Sequence, residues 1–316
     1  MGPDVVIDSR KASSGALFVS LPGEHVDGHE YLPQAAQAGA TAAITAHEVA
    51  AGDHPTPTDA ATHGCDWPAA CTIDVDPSWR SGYYEVTLTI TDPGGKERTE
   101  HAFFVIRPTV GPSGAPTSGA SILLVLATNT WHAYNDFGGA NLYTGATQVS
   151  MERPMARGYL AKPPGAGRRV TSVHPPDPQL AAHVGYLQLN HLSPWAGSAG
   201  WPDWELPFVQ WAEREGYAFD VATNADLEQH PELLAGSPGT GYRLVLSVGH
   251  DEYWSGPMRD TVEGFIARGG NVAFFSGNTA FWQVRHEGSV MVGYKGNFRR
   301  DPAFETGQVG QLTSMW

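Results

Sequence analysis

The last two thirds of the chain alternate short apolar runs with amphipathic stretches, and this rhythm constrains the fold more than any other feature of the 316 residues. Buried strands are expected over 122–127, 218–222, 242–248 and 271–276, with helices over 207–215 and 258–268. A strand that is apolar on both faces needs cover on both faces, and strands separated by helices run parallel. Residues 121–316 therefore read as an α/β domain on a mostly parallel sheet. Glycine and proline number 37 and 24, so long loops separate the elements and a mostly helical bundle is excluded.

Upstream the rhythm differs. Residues 50–64 and 109–120 are rich in Pro, Gly, Thr and Ser and read as linkers. They set off a first module, 1–49, with a strand over 15–21 and an alanine-rich helix over 31–38. Between them lies a β-rich segment, 65–108, where period-two alternation over 84–91 leads through Asp92, Pro93, Gly94 and Gly95 to a strand over 102–106. That pattern is an antiparallel hairpin in a small sandwich-like unit.

Charge narrows the function. With 33 acidic and 19 basic residues the formal charge is −14, and no Lys/Arg cluster interrupts it, which argues against nucleic acid or anionic lipid as partner. The longest apolar run is far short of the 18 or so residues of a membrane span, and no basic and apolar leader follows Met1, so a cytoplasmic protein is expected. The two cysteines, Cys65 and Cys71, fit neither a disulfide framework nor a zinc site. A phosphate-cradling P-loop, a Gly-x-Ser-x-Gly nucleophile elbow and a His-Glu-x-x-His helix are all missing.

In parallel α/β sheets ligands sit at the carboxyl ends of the strands. Three such ends carry chemistry. After the strand over 242–248 come Gly249, His250, Asp251, Glu252, Tyr253 and Trp254, an imidazole, two carboxylates and a phenol in one turn; the plainer reading is that the acids cap the next helix. After the first strand, Tyr134 and Asn135 lead into a Gly-Gly turn, as a ligand, an acid or simple packing. After the last, Asn278 offers an amide for a carbonyl oxygen or oxyanion, or is a turn residue.

The motifs DW at 66–67, WRSGYY at 79–84, TWHAYN at 130–135, EREGY at 213–217, LSVGHDEYW at 246–254 and FSGNTAFW at 275–282 together resemble the large (beta) subunit of N,N-dimethylformamidase over about 56–316. The resemblance implies a β-rich region before a Rossmann-like or flavodoxin-like domain, here truncated at its C-terminus. It also implies a mononuclear non-haem iron held by two tyrosines and a glutamate. Tyr134 and Glu252 match two of those ligands, and Tyr143, Tyr159 and Tyr186 are candidates for the third. His250, Asn278 and Lys295 match positions around the metal and substrate. A small partner subunit and a homo-oligomer are implied as well. The motifs DSRK at 8–11, GALFVSLPGE at 15–24 and DGH at 27–29 resemble instead the N-terminal domain of muramyl-peptide ligases, which contacts a UDP-sugar, here through Ser9 and Arg10.

The expected function is hydrolysis of a small linear amide, iron polarising the carbonyl and activating water, in an active or inactive member of that group. The alternatives are a non-catalytic carbohydrate or nucleotide-sugar binding protein and, on the first segment alone, a UDP-MurNAc ligase. A fused or fragmentary chain fits the two unlike segments.

Overall fold

The computed structural model describes the strand backbones at 5–6, 17–20 and 42–45, and residues 54–69, 72–76, 78–91, 94–95, 97–162, 187, 191–237 and 239–316. The helix expected over 31–38, together with Ser9, Arg10, Cys71, Asp92, Pro93 and Tyr186, lies outside the described residues. Two compact units are present. The first comprises Met1–Pro55, Asp66–Arg80 and Val86–Thr99, and the second Thr56–Cys65, Ser81–Glu85 and Glu100–Trp316.

In the first unit β1 (Val5–Val6), β2 (Leu17–Ser20) and β3 (Ala42–Thr45) form a parallel sheet with β2 in the middle, Leu17 pairing with both Val5 and Ala42. The second unit starts with one helical turn, α1 (Ala60–His63), inside the stretch read as the first linker. Ala60 and Ala61 are buried because α1 packs on a strand of this unit, Gln148–Ser150. The stretch read as the second linker folds back on itself, Val110 bridging Pro116 and the Thr117 N–H donating to the Thr109 carbonyl.

The hairpin of β4 (Gly82–Thr91) and β5 (Glu97–Ile106) is longer than the alternation suggested. Among the described residues it is a two-stranded ribbon, not a sandwich. Two strands alone cannot bury a face. Within the second unit that need is met at the ribbon's base, where Tyr83 stacks between Phe103 (5.5 Å) and Trp201 (3.9 Å), and Phe103 lies 5.4 Å from the Trp131 ring.

The rest of the second unit runs β6 (Ile122–Leu126), α2 (Thr128–Tyr134), β7 (Gln148–Ser150), α3 (Glu205–Arg214), β8 (Asp220–Thr223), α4 (Asn224–Gln229), β9 (Leu244–His250), β10 (Tyr253–Ser255), α5 (Gly256–Ala267), β11 (Asn271–Gly277), β12 (Trp282–Glu287), β13 (Val290–Val292) and α6 (Pro302–Glu305). The four expected strands form one parallel sheet in the order β11-β9-β6-β8. Its centre is β6, whose alternate residues feed two cores. Leu124 and Leu126 join Val221, Leu246 and Val248 on one face, while Leu123 and Val125 join Ala222, Val245, Val262 and Phe265 on the other. At the β8 edge the Ser81 hydroxyl accepts from the Val221 N–H (2.8 Å) and donates to its carbonyl (3.1 Å), standing in for a neighbouring strand.

A second sheet, β10-β12-β13-β7, was not expected. It joins β10 parallel to β12 and is antiparallel elsewhere. Its strands include three-residue pieces, too short to show a period. No helix among the described residues is long and apolar enough to cross a membrane.

At the start of α3, Glu205 is almost fully buried and accepts a hydrogen bond from Trp131 Nε1 (3.1 Å). Burial holds its carboxyl well above the usual range, outweighing the hydrogen bonds that favour the anion. The folded state therefore keeps this proton where the unfolded chain, titrating near pH 4.3 or so, has lost it. Its stabilising effect is full below that pH and declines as pH rises toward the raised folded value. Glu205→Gln keeps the acceptor for Trp131 and removes the titration, so the variant's melting temperature should gain on the wild type progressively from pH 4 to pH 8. Parallel melting profiles would show that Glu205 is ionised in the fold.

Candidate functional site

The site is built at the carboxyl end of β9. Gly249 has φ +92, and a Cβ there would lie 2.6 Å from Trp204 Cβ, so only glycine allows the backbone to turn this close to the indole. Beyond the turn two residues are fixed from several sides. Asp251 is fully buried and accepts from Ser247 Oγ (2.7 Å) and Asn224 Nδ2 (3.3 Å). The Glu252 N–H donates to Thr130 Oγ1 (2.9 Å), and its carbonyl accepts from the Trp282 N–H (2.9 Å). The acids do not cap α5; Ser255 does, its Oγ accepting from the Met258 N–H.

All seven residues of α2 are buried, and its last one, Tyr134, points its hydroxyl at the Glu252 carboxylate. Tyr134 donates to Glu252 Oε2 at 2.9 Å. Tyr143 lies 2.8 Å from Oε1 and 2.7 Å from Oε2, and the two phenol oxygens are 2.8 Å apart. Their rings stack at 4.4 Å, with Trp195 stacked 5.4 Å from Tyr143. His250 Nε2 is 3.3 Å from Glu252 Oε2, while Nδ1 lies 2.8 Å from the Ser198 carbonyl. A carbonyl only accepts, so Nδ1 carries a proton, and Nε2 faces a carboxylate favourably only if it carries one too. Burial opposes charge on His250, but Glu252 and the Ser198 carbonyl outweigh it and raise its pKa. Burial likewise works against the Glu252 anion, and His250 with the two phenols outweighs that and lowers its pKa. Burial first, with Glu252 beside them, pushes both phenols far above their ordinary range.

Lys295 enters from beyond β13. Its Nζ donates to the Tyr253 hydroxyl (3.0 Å) and the Leu142 carbonyl (3.3 Å), and it lies 3.4 Å from the centre of the Tyr143 ring. Burial lowers its pKa to about 8.

The structure thus gathers Tyr134, Glu252, His250 and Lys295 in one place, with Tyr143 as the second phenol. Tyr159 is fully buried and no hydrogen bond joins its hydroxyl to this cluster. Asn278 stands apart: it is exposed, has φ +50, and its carbonyl accepts from the Phe281 N–H, the behaviour of a turn residue. Trp195 and Ser198 carry no local signal, because their partners lie about fifty or more positions away along the chain.

Among the described residues no group of three or more His, Cys, Asp and Glu gathers to hold a metal. The three clustered oxygens are of another kind, two phenols and a carboxylate. Donors that share an ion at bonds of about 2 Å must lie within roughly 4 Å of each other, and these do. They are hard oxygen donors that become anionic on losing their protons, a set suited to a hard, highly charged cation.

Residues 25–316 match the protein family described as N,N-dimethylformamidase beta subunit-like, C-terminal. The chain belongs to that family. The match begins upstream of residue 56, where the motifs alone placed the start of the resemblance. The N,N-dimethylformamidase beta subunits of Alcaligenes sp and Paracoccus aminophilus are each 35% identical to this dimethylformamidase-like chain over 86 residues, 26% of it and 11% of their own length. A UDP-N-acetylmuramoyl-L-alanyl-D-glutamate--2,6-diaminopimelate ligase of Prochlorococcus marinus (strain MIT 9313) is 34% identical over 133 residues, 42% of this chain and 25% of the ligase. The chain spans about a tenth of the dimethylformamidase subunits and a quarter of that ligase. Both resemblances read from the motifs are therefore present.

Gly249→Ala tests the turn that presents the site. A methyl group at φ +92 against Trp204 should cost about 2 kcal/mol or more, seen as a lower midpoint in urea unfolding. An unchanged midpoint would mean that the turn relaxes freely.

Proposed function

We propose that this dimethylformamidase-like chain hydrolyses a small linear amide with the aid of one non-haem iron held by Tyr134, Tyr143 and Glu252. One observation carries the proposal: the oxygens of two tyrosines nine residues apart and of a glutamate more than a hundred positions further along the chain converge within hydrogen-bond distance of each other. As phenolates and carboxylate they sum to three negative charges, the match for a ferric ion in a buried place where uncompensated charge is costly. Bound there, the ion supplies Lewis acidity that polarises an amide carbonyl and makes water a better nucleophile. The name of the relatives, N,N-dimethylformamidase, supports the amide as substrate and their naming as beta subunits supports a partner subunit.

The other roles belong to side chains of this chain. His250 holds a proton on Nε2 beside Glu252 and hands it to the departing amine nitrogen, as a general acid. Lys295 keeps an ammonium over the Tyr143 ring and fixes the Tyr253 hydroxyl. Trp195 and Tyr253 wall the phenols and limit water around them. Asn278, exposed and outside the cluster, has no part in this scheme.

The similarity of the chain to muramyl ligases supports a separate reading for the first module, contact with a nucleotide sugar through Ser9 and Arg10. Isothermal titration with UDP-MurNAc tests it, heat of binding supporting it and none removing it.

For the main proposal the protein should carry about one iron per chain and show a tyrosinate charge-transfer band in the visible. Glu252→Ala should lose the iron while its far-UV circular dichroism stays that of the wild type. Tyr143→Phe should weaken the band, and Tyr159→Phe should leave it intact. Normal iron content in Glu252→Ala would take Glu252 out of the metal shell.

A further inference from the structure

After α2 ends at Tyr134, the chain reaches Tyr143 through turns with no helix or strand of its own to hold it. Gly138 and Gly139 both have positive φ, and a Cβ on Gly138 would lie 2.7 Å from the Ala61 N. Such a loop needs an external template, because its polar backbone groups must find partners once buried.

Arg153 supplies it. The residue is 5% exposed, and each of its five donors goes to a main-chain carbonyl. Nε donates to Ser150 (3.2 Å), Nη1 to Phe137 and Ala140 (3.0 Å for the latter), and Nη2 to Asn135 (2.8 Å) and His132 (3.3 Å). Four of the five acceptors lie between the last turn of α2 and residue 140. The planar fork fixes their relative positions in a way that the single nitrogen of a lysine cannot.

Two asparagines carry the same bracing to the tyrosines. Asn141 Nδ2 donates to the Tyr134 carbonyl (2.8 Å), while its Oδ1 accepts from the N–H groups of Tyr143 (2.8 Å) and Thr144 (3.0 Å). Asn135 Oδ1 accepts from the Phe137 and Ala156 N–H groups, and its Nδ2 donates to the Pro154 carbonyl. The main chains of the two phenol-bearing residues are thus tied to each other and, through the loop, to Arg153.

We infer that Arg153 is a positioning residue whose guanidinium sets the spacing of the Tyr134 and Tyr143 phenols at Glu252. The consequence for metal affinity rests on the iron reading above; the consequence for the loop does not.

The test is Arg153→Lys in the full chain, read in two ways. Hydrogen–deuterium exchange should speed up on the order of tenfold in peptides covering 135–146, while peptides of β9 and β11 keep wild-type rates. A purely structural role would speed exchange throughout, and that result, like wild-type exchange in the loop, overturns the inference. In the second reading the dissociation constant for ferric ion should rise about 10- to 100-fold, with a changed tyrosinate band; wild-type affinity and band would also overturn it. If the wild-type protein itself holds no iron, the metal reading fails and the exchange result alone decides on Arg153. If Arg153→Lys does not fold, Asn141→Asp, which keeps the acceptor for Tyr143 and loses the donor to Tyr134, is read in the same way, local exchange supporting the template and uniform or unchanged exchange overturning it.

Discussion

A nearly buried carboxylate, that of Glu252, is the group around which the second unit is arranged. Taking a carboxylate out of water is costly unless donors replace the water. Here two phenols donate to it and the His250 ring stands 3.3 Å away, the first from α2, the second from the loop beyond it and the ring from the end of β9. The backbone at Glu252 is held by Thr130 from α2 and by the Trp282 N–H at the start of β12, and its neighbour Asp251 by β9 and α4. The parallel sheet fixes where β9 stops, Gly249 lets the chain turn there, and the carboxylate is aimed by what closes over it.

The second sheet completes the enclosure. β10 begins at Tyr253, directly after Glu252, and pairs with β12, whose first residue, Trp282, faces Lys295 at 5.2 Å. Lys295 follows β13 at φ +55 and lays its ammonium between the Tyr143, Tyr253 and Trp282 rings. Desolvation weakens that charge, and the ring faces with two oxygen acceptors stabilise it. The antiparallel hairpin of β12 and β13 therefore brings a cation to a site that the parallel sheet alone would leave open on one side.

What could be read from the sequence followed from period. The four strands of the parallel sheet and the helices α3 and α5 stand within a few residues of where the apolar runs put them, but the strand over 271–276, expected to be buried, is β11 at the edge of the sheet, with Phe274 and Phe275 exposed. The polar turn at 249–254 was legible as a candidate site because a glycine, an imidazole and two acids together have no common structural purpose. Helix α2 was not legible: its seven residues are buried on every side, so no polar face marks its turns. The second sheet was hidden by the shortness of its strands. That Tyr143 rather than Tyr159 lies beside Tyr134 and Glu252 was beyond the sequence, since it depends on a loop that folds back to within hydrogen-bond reach of Tyr134. Asn278, an amide after a strand, stands in a left-handed turn outside this cluster, a placement that its local sequence does not reveal.

Charge distribution explains why a buried arginine suits this place. Arg153 is a buried cation set against the loop that carries the phenols, yet its hydrogen bonds go to carbonyls and none goes to a carboxylate. Burial lowers its pKa only to about 10, so it stays charged at neutral pH. Paired with Glu252 it would neutralise the anion that the phenols need as acceptor and would take up the space where they meet. Bound to carbonyls it orders the same loop and leaves the Glu252 charge to the groups that converge on it. A lysine there would be strongly hydrated, with three donors for five carbonyls, and would leave two of them buried without a partner. The fork geometry of arginine lets one residue meet both demands, a rigid loop and a Glu252 carboxylate left to its own partners.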